Sequence, residues 1–249
     1  MQIYDNERVD SVNDSLSLIQ KPDGLTFGTD ALLLAGYVSG KYNSGAELGG
    51  GSGIISMLLL ARNKLQRCDC YEVQEEYAEL ISRNAEYNSL SERLTPICRD
   101  IREIPKTEEF DIVFTNPPYM KSTSGKSNAS DKKTIARHEV FGDIGDFVSS
   151  AARMLRFGGA FYAVYRPDRL TDIIDAMRKY GIEPKRMTFV HADCESESKV
   201  VLIEGKRGGK SGMQLTRPLI IYKDNSHKEY REEMEYIMEN GSFPPEYKR

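Results

Sequence analysis

The chain has 249 residues and a net charge of −4, from 34 Lys and Arg against 38 Asp and Glu. That balance excludes a globally basic nucleic-acid coat, though not a local basic patch. With 39% hydrophobic and 29% charged residues, the chain can bury one sizeable core and reads as a folded, soluble, mildly acidic protein.

The stretch from Met1 to Arg8 is polar and lacks an apolar h-region, so no secretory signal is expected. The longest apolar runs, Ala31 to Ala35 and Met57 to Ala61, are far too short to cross a bilayer. Cys68-Asp69-Cys70 lacks the two-residue gap of a zinc knuckle, and no His pair accompanies it. No metal is expected, and reduced cytoplasmic thiols are the plain reading.

In chain order, Ser15 to Gln20 alternates like a half-buried strand. Pro22-Asp23-Gly24 signals a turn, and Leu25-Thr26-Phe27 is the expected returning strand of a small hairpin. Thr29 or Asp30 then caps a helix through Val38 that ends near Gly40. From Gly45 onward strands and helices alternate. Strands are expected at Ala46 to Leu48, Arg67 to Val73, Leu94 to Cys98, Phe110 to Thr115 and Ala160 to Val164. The intervening helices run from Ile54 to Lys64, Glu75 to Asn88 and Asp146 to Leu155, the last broken by Gly158-Gly159. Lys121 to Lys133 reads as a polar loop. After a helix from Leu170 to Tyr180, Lys185 to His191 and Lys199 to Glu204 have no helix between them and should pair antiparallel. Lys206 to Lys210 reads as a loop, and Glu229 to Glu239 as a short charged terminal helix.

The expected fold is therefore α/β: a doubly wound, mainly parallel seven-stranded sheet with an antiparallel terminal hairpin, preceded by a small N-terminal hairpin and helix. Ligands of such sheets bind at the carboxyl ends of the strands. The expected division is residues 1–40, a main domain over 41–222 and a helical tail over 223–249.

Four segments carry chemistry. Glu47-Leu48-Gly49-Gly50-Gly51-Ser52-Gly53-Ile54 sits between a strand and a helix, with Gly49, Gly51 and Gly53 allowing a sharp bend and close approach to a ligand. It is not a dinucleotide fingerprint, because Ile54 stands where the third glycine belongs, nor a Walker loop, because no Lys follows Gly53. Glu72 lies at the next strand's carboxyl end, about twenty residues on, where a carboxylate can accept both ribose hydroxyl hydrogens. Asp100 follows the third strand and could accept from an adenine amino group, with Ile101 packing on the ring. Asp there is also an ordinary turn residue.

The fourth is Asn116-Pro117-Pro118-Tyr119, directly after an apolar strand. Two prolines end the strand and hold the carbonyls in fixed directions. The Asn116 side-chain carbonyl and the Pro117 main-chain carbonyl could accept both hydrogens of one planar amino group, while Tyr119 stacks on the flat group that carries it. Such an amine is a poor nucleophile because its lone pair is delocalised. Two acceptors off the plane localise it.

Taken in this order on alternating strands, the segments at 47–53, 72, 100 and 116–119 resemble class I S-adenosylmethionine-dependent methyltransferases of the amino-methylating subgroup. Phe27-Gly28-Thr29-Asp30-Ala31-Leu32-Leu33-Leu34-Ala35 extends the resemblance to the bacterial family that methylates the 6-amino group of the anticodon-adjacent adenine in a valine tRNA. The resemblance runs from about Leu16 to Ile221 and departs only mildly, with Glu47 in place of the commoner Asp. It implies a Rossmann-like fold and S-adenosyl-L-methionine as cofactor. Phe27, Thr29, Glu47, Gly49, Gly51, Gly53, Glu72, Asp100, Ile101 and Asn116 are then candidate cofactor contacts, under a cover formed by residues 1–40. Asn116, Pro117 and Tyr119 are the candidate catalytic group.

The same four-residue device serves enzymes acting on DNA adenine, RNA adenine and a glutamine amide of translation release factors. No large added domain is available to read DNA, and only some forty residues precede the glycine loop, where release-factor enzymes carry a helical domain. RNA, and within it tRNA, is the expected partner. Pro118, Tyr119, Lys121, Lys132, Lys133 and Arg137 are candidate substrate contacts, and Lys206, Arg207 and Lys210 form a second basic cluster. A protein amide substrate and a non-catalytic cofactor-binding module stay open as alternatives, and the sequence leaves the oligomeric state undetermined.

Overall fold

The computed structural model describes residues 3–21, 28–118 and 142–248. A hairpin comes first, in which β1 (Arg8–Asn13) pairs antiparallel with β2 (Leu16–Gln20). The strand expected after Pro22, Leu25-Thr26-Phe27, lies outside the described residues. Polar and largely exposed, β1 gives little strand signal. Its turn is set by Asn13, whose Oδ1 accepts from the Ser15 N–H and hydroxyl, each at 3.0 Å.

Helix α1 (Thr29–Tyr37) follows with Gly28 at its N-cap. Thr29 and Asp30 fall inside its first turn rather than capping it. Its other end is capped from a distance: Lys64 Nζ donates to the carbonyls of Ala35, Gly36 and Val38 at 2.9, 3.1 and 2.7 Å.

The alternating part runs β3 (Tyr42–Leu48), α2 (Ile54–Ala61), β4 (Leu65–Glu72), α3 (Glu75–Tyr87), β5 (Leu94–Cys98), β6 (Phe110–Thr115), α4 (Ile144–Met154), β7 (Leu155–Tyr165) and α5 (Leu170–Lys179). The chain continues through β8 (Ile182–His191), β9 (Ser198–Arg207), the two-residue strands β10 (Gln214–Leu215) and β11 (Leu219–Ile220), and α6 (Glu232–Asn240). Seven long strands lie in the order β8-β9-β7-β6-β3-β4-β5, with β10 and β11 added along β8. Neighbours are parallel except β9, which is antiparallel to both β7 and β8.

Period-two alternation splits the apolar residues between two cores, one on each face of the sheet. Ile112, Phe114, Tyr162 and Val164 join α1, α2 and α6 on one face. Val113, Phe161, Ala163 and Ile203 join α4 and α5 on the other. From Ile54 to Leu60 every residue of α2 is buried, as expected of a helix covered on all sides.

Two boundaries differ from expectation. Gly158 and Gly159 do not end the α4 helix. It gives way to strand at the buried Leu155, and both glycines lie in the irregular opening of β7, where register shifts against β6. Lys206 and Arg207 are not loop residues either, because β9 continues through them alongside the start of β8.

Candidate active site at the carboxyl edge of the sheet

Register brings the functional segments together. Leu48 pairs with Tyr71 of β4 and Thr115 of β6, Glu72 with Cys98 of β5, and Thr115 with Ala163 of β7. The strands therefore end along one edge, and the turns after Leu48, Glu72, Cys98 and Thr115 emerge side by side. Thr115 Oγ1 donates to Leu48 O at 2.8 Å, tying the start of the Asn116 turn to the start of the glycine loop.

The glycine loop folds back on the neighbouring strand. Gly49 and Gly50 both donate to Tyr71 O, at 2.9 and 3.0 Å, and Gly53 donates to Gly50 O at 2.8 Å. Gly53 has φ 79° and stands at the N-cap of α2, a left-handed conformation that suits glycine. Gly50 has a different reason. A Cβ there would lie 2.2 Å from Cys70 Sγ, so the loop and β4 approach too closely for any side chain.

Glu47 lies beneath this loop. It is 1% exposed, and its carboxylate accepts from the Ser56 N–H at 3.0 Å and from the Ser56 hydroxyl and the Cys70 thiol. Burial pushes its pKa up to about 7, with the Ser56 hydrogen bonds pulling the other way. The structure thus assigns its contacts to the first turn of α2. Ser56 carries no sequence signal for this role.

Glu72 is 5% exposed and bridges two turns: Oε2 accepts from Gly51 N at 2.9 Å and Oε1 from Gln74 N at 3.0 Å. Each oxygen retains a second lone pair and can accept one further hydrogen bond. Asp100 is engaged by Arg102, through its N–H at 2.8 Å and its guanidinium, and that guanidinium holds the carboxyl below its usual range. Ile101 is buried in the core on the α4 side. Thr29 is exposed at the start of α1. Phe27 lies outside the described residues.

Sequence reasoning did not find Asn84, which is fully buried on α3. Its Oδ1 accepts from Ile19 N at 2.7 Å, and its Nδ2 donates to Ile19 O at 3.2 Å and to Ser52 O at 3.1 Å. One turn on, Asn88 makes the same pair of bonds to Ser17, at 3.0 and 2.7 Å. Two helix side chains thereby take the place of a neighbouring strand along β2, and Asn84 ties the hairpin to the glycine loop.

Asn116 is half-buried, Pro117 buried and Pro118 exposed. Among the described residues the Asn116 side chain has no hydrogen-bond partner. Beside this turn is a cavity of about 250 Å³, lined by Pro117 and Pro118, by Ile144 and Phe147 of α4, and by Tyr165, Arg169 and Asp172. Phe147 also reaches the glycine loop, since a Cβ on Gly49 would stand 3.2 Å from its ring. The cavity thus adjoins both the turn and the loop. Tyr119, Lys121, Lys132, Lys133 and Arg137 lie outside the described residues. Lys206 and Arg207 of the second basic cluster are at the opposite end of the sheet: Lys206 pairs with Ala160, where β7 resumes regular pairing with β6 after its irregular opening, and Arg207 with Ile182, the first residue of β8. Among the described residues no cluster suits a metal ion, and no helix is long and apolar enough to cross a membrane.

A glycine loop, a strand-end carboxylate and an Asn-Pro-Pro turn on one edge agree with the family comparison, in which the model for the methyltransferase small domain matches residues 22–173. The chain belongs to that family. It is a methyltransferase, and S-adenosyl-L-methionine is its cofactor. Among curated proteins it is 29% identical over 182 residues to a tRNA1(Val) (adenine(37)-N6)-methyltransferase of Phocaeicola vulgatus, covering 72% of this chain and 76% of that one. A protein of the same name from Flavobacterium psychrophilum is 24% identical, covering 86% and 92%. Among solved structures, a "predicted O-methyltransferase" of Agrobacterium tumefaciens superposes with a TM-score of 0.70 at 23% identity, covering 86% and 98%. TYW2 of M. jannaschii, solved with AdoMet, gives 0.58 at 12% identity, covering 83% and 88%. These likenesses show the fold.

Proposed function

We propose that this methyltransferase transfers the methyl group of S-adenosylmethionine to the exocyclic amino group of an adenine in RNA, at an anticodon-loop position of a tRNA. The observation that carries this reading is the Asn116-Pro117-Pro118 turn, locked to the glycine loop through Thr115 and opening on a cavity beside it. The names of the two relatives given above, both tRNA adenine-N6 methyltransferases, support the substrate.

In this reading Glu72 holds the ribose of the cofactor, and the glycine loop lets the rest approach the backbone closely. The cofactor supplies an electrophilic methyl on a sulfonium centre. The Asn116 side-chain carbonyl and the Pro117 carbonyl accept the two amino hydrogens and localise the nitrogen lone pair. An adenine in a structured loop reaches the cavity by leaving its stack, as bases do for enzymes that modify them. Phe147 and Tyr165 give it apolar walls. The hairpin and α1 form the cover of the cofactor side, and the enzyme works in the cytoplasm, where its four free cysteines stay reduced.

The test offers labelled S-adenosylmethionine with an unmodified valine tRNA transcript and, in parallel, a translation release factor. Label in the tRNA, recovered as N6-methyladenine, is the expected result. Label in the release factor alone would replace the substrate, and silence in both with cofactor bound would favour a binding module.

A further inference from the structure

The cavity beside the catalytic turn measures about 250 Å³, below the roughly 300–1,000 Å³ of sites that enclose drug-sized ligands. It suits one planar base, which leaves that nucleotide's sugar and phosphate at the mouth. Among the described lining residues the single cation is Arg169, at the N-cap of α5.

Arg169 is held in a particular way. Its Nε donates to Asp172 Oδ2, one turn into α5, and its two terminal nitrogens have no hydrogen-bond partner among the described residues. A carboxylate on Nε orients the guanidinium without using the Nη pair, the edge that grips a phosphate with two parallel bonds. The side chain is 37% exposed and lines the cavity. The neighbouring Arg166 differs: it spends both Nε and Nη2 on Asp168, at 2.8 and 2.5 Å, and does not line the cavity. The nearby Asp143 carboxylate is occupied in the α4 cap, accepting from Asp146 N at 2.9 Å.

We propose that Arg169, oriented by Asp172, holds the phosphodiester next to the target nucleotide and so registers the RNA strand against the catalytic turn. This rests on the RNA reading given above.

The experiment measures tRNA KM at several salt concentrations for the wild type, Arg169→Gln and Arg169→Lys, with cofactor affinity and Tm measured alongside. Arg169→Gln should raise tRNA KM about tenfold and lower the log–log salt slope by about one, the signature of one lost phosphate contact. Cofactor affinity and Tm should not move. Arg169→Lys should restore the slope but only part of KM, because a point charge replaces a fork. An unchanged KM and slope in an active enzyme overturns the assignment. So does a loss confined to particular flanking bases with the slope intact. A wild type that transfers nothing to tRNA instead fails the RNA reading itself, and the inference with it.

Discussion

The carboxylate of Glu72 accepts a hydrogen bond from the Gly51 N–H at 2.9 Å, so the strand-end acid and the glycine loop form one latch. The other oxygen holds the turn into α3 through Gln74 N. Removing this side chain therefore loosens two turns at the edge of the sheet and deletes the carboxylate proposed to hold the ribose.

Glu72→Ala should weaken S-adenosylmethionine binding by about tenfold or more, roughly 1.4 kcal/mol, as read by isothermal titration calorimetry. Glu72→Gln keeps one carbonyl oxygen for Gly51 N and should recover part of the loss. An unchanged dissociation constant in the alanine variant would remove Glu72 from the site.

Asn84 couples the N-terminal hairpin to the same loop. Asn84→Ala strands the Ile19 N–H and carbonyl in a buried place, at a cost of about 3 kcal/mol, visible as a lower urea midpoint. Because Ser52 O loses its donor too, the KM for S-adenosylmethionine should rise while kcat changes less. Asn84→Asp, which keeps only the acceptor from Ile19 N, should fall between. Full stability with normal cofactor KM in the alanine variant would contradict the role.

Glu47 gives the protein a pH-dependent contribution with a definite sign. Its carboxyl is raised from an ordinary 4.5 to about 7 by burial. Between those values the folded chain holds a proton that the unfolded chain has lost, so this contribution is full below about pH 4.5 and gone above about pH 7. Glu47→Gln keeps an acceptor for Ser56 and has nothing to titrate. Between pH 5 and pH 8 the wild type should lose about 2 kcal/mol of unfolding free energy relative to that variant. Parallel denaturation profiles across this range would rule the effect out.

Much of this site was legible because it is local in sequence. The glycine loop, Glu72 and Asn116 each sit at the end of an apolar strand, and parallel α/β topology puts such ends on one edge. What was hidden depends on distant partners. A charge in a motif does not disclose its burial, so nothing in the sequence shows that Glu47 is buried with its carboxylate bonded to Ser56. Asn84 and Asn88 look like indifferent helix residues until β2 lies against them. Phe147 and Arg169 reach the cavity only because α4 packs on β6 and β7, which leads into the turn that carries Arg169, pairs beside it. The polar strand β1 lacked the alternation that marks a buried face, and the basic run at Lys206 gave no hint that an antiparallel strand carries it to the far end of the sheet.

The most direct test of the central claim compares the wild type with Asn116→Ala, measuring S-adenosylmethionine affinity and the methylated nucleosides released from a valine tRNA transcript by mass spectrometry. The predicted result is N6-methyladenine from the wild type and a loss of about a hundredfold or more from the variant, with cofactor affinity nearly equal. Equal N6-methyladenine from both proteins, or a methyl group found on a ring nitrogen or ribose, would contradict it.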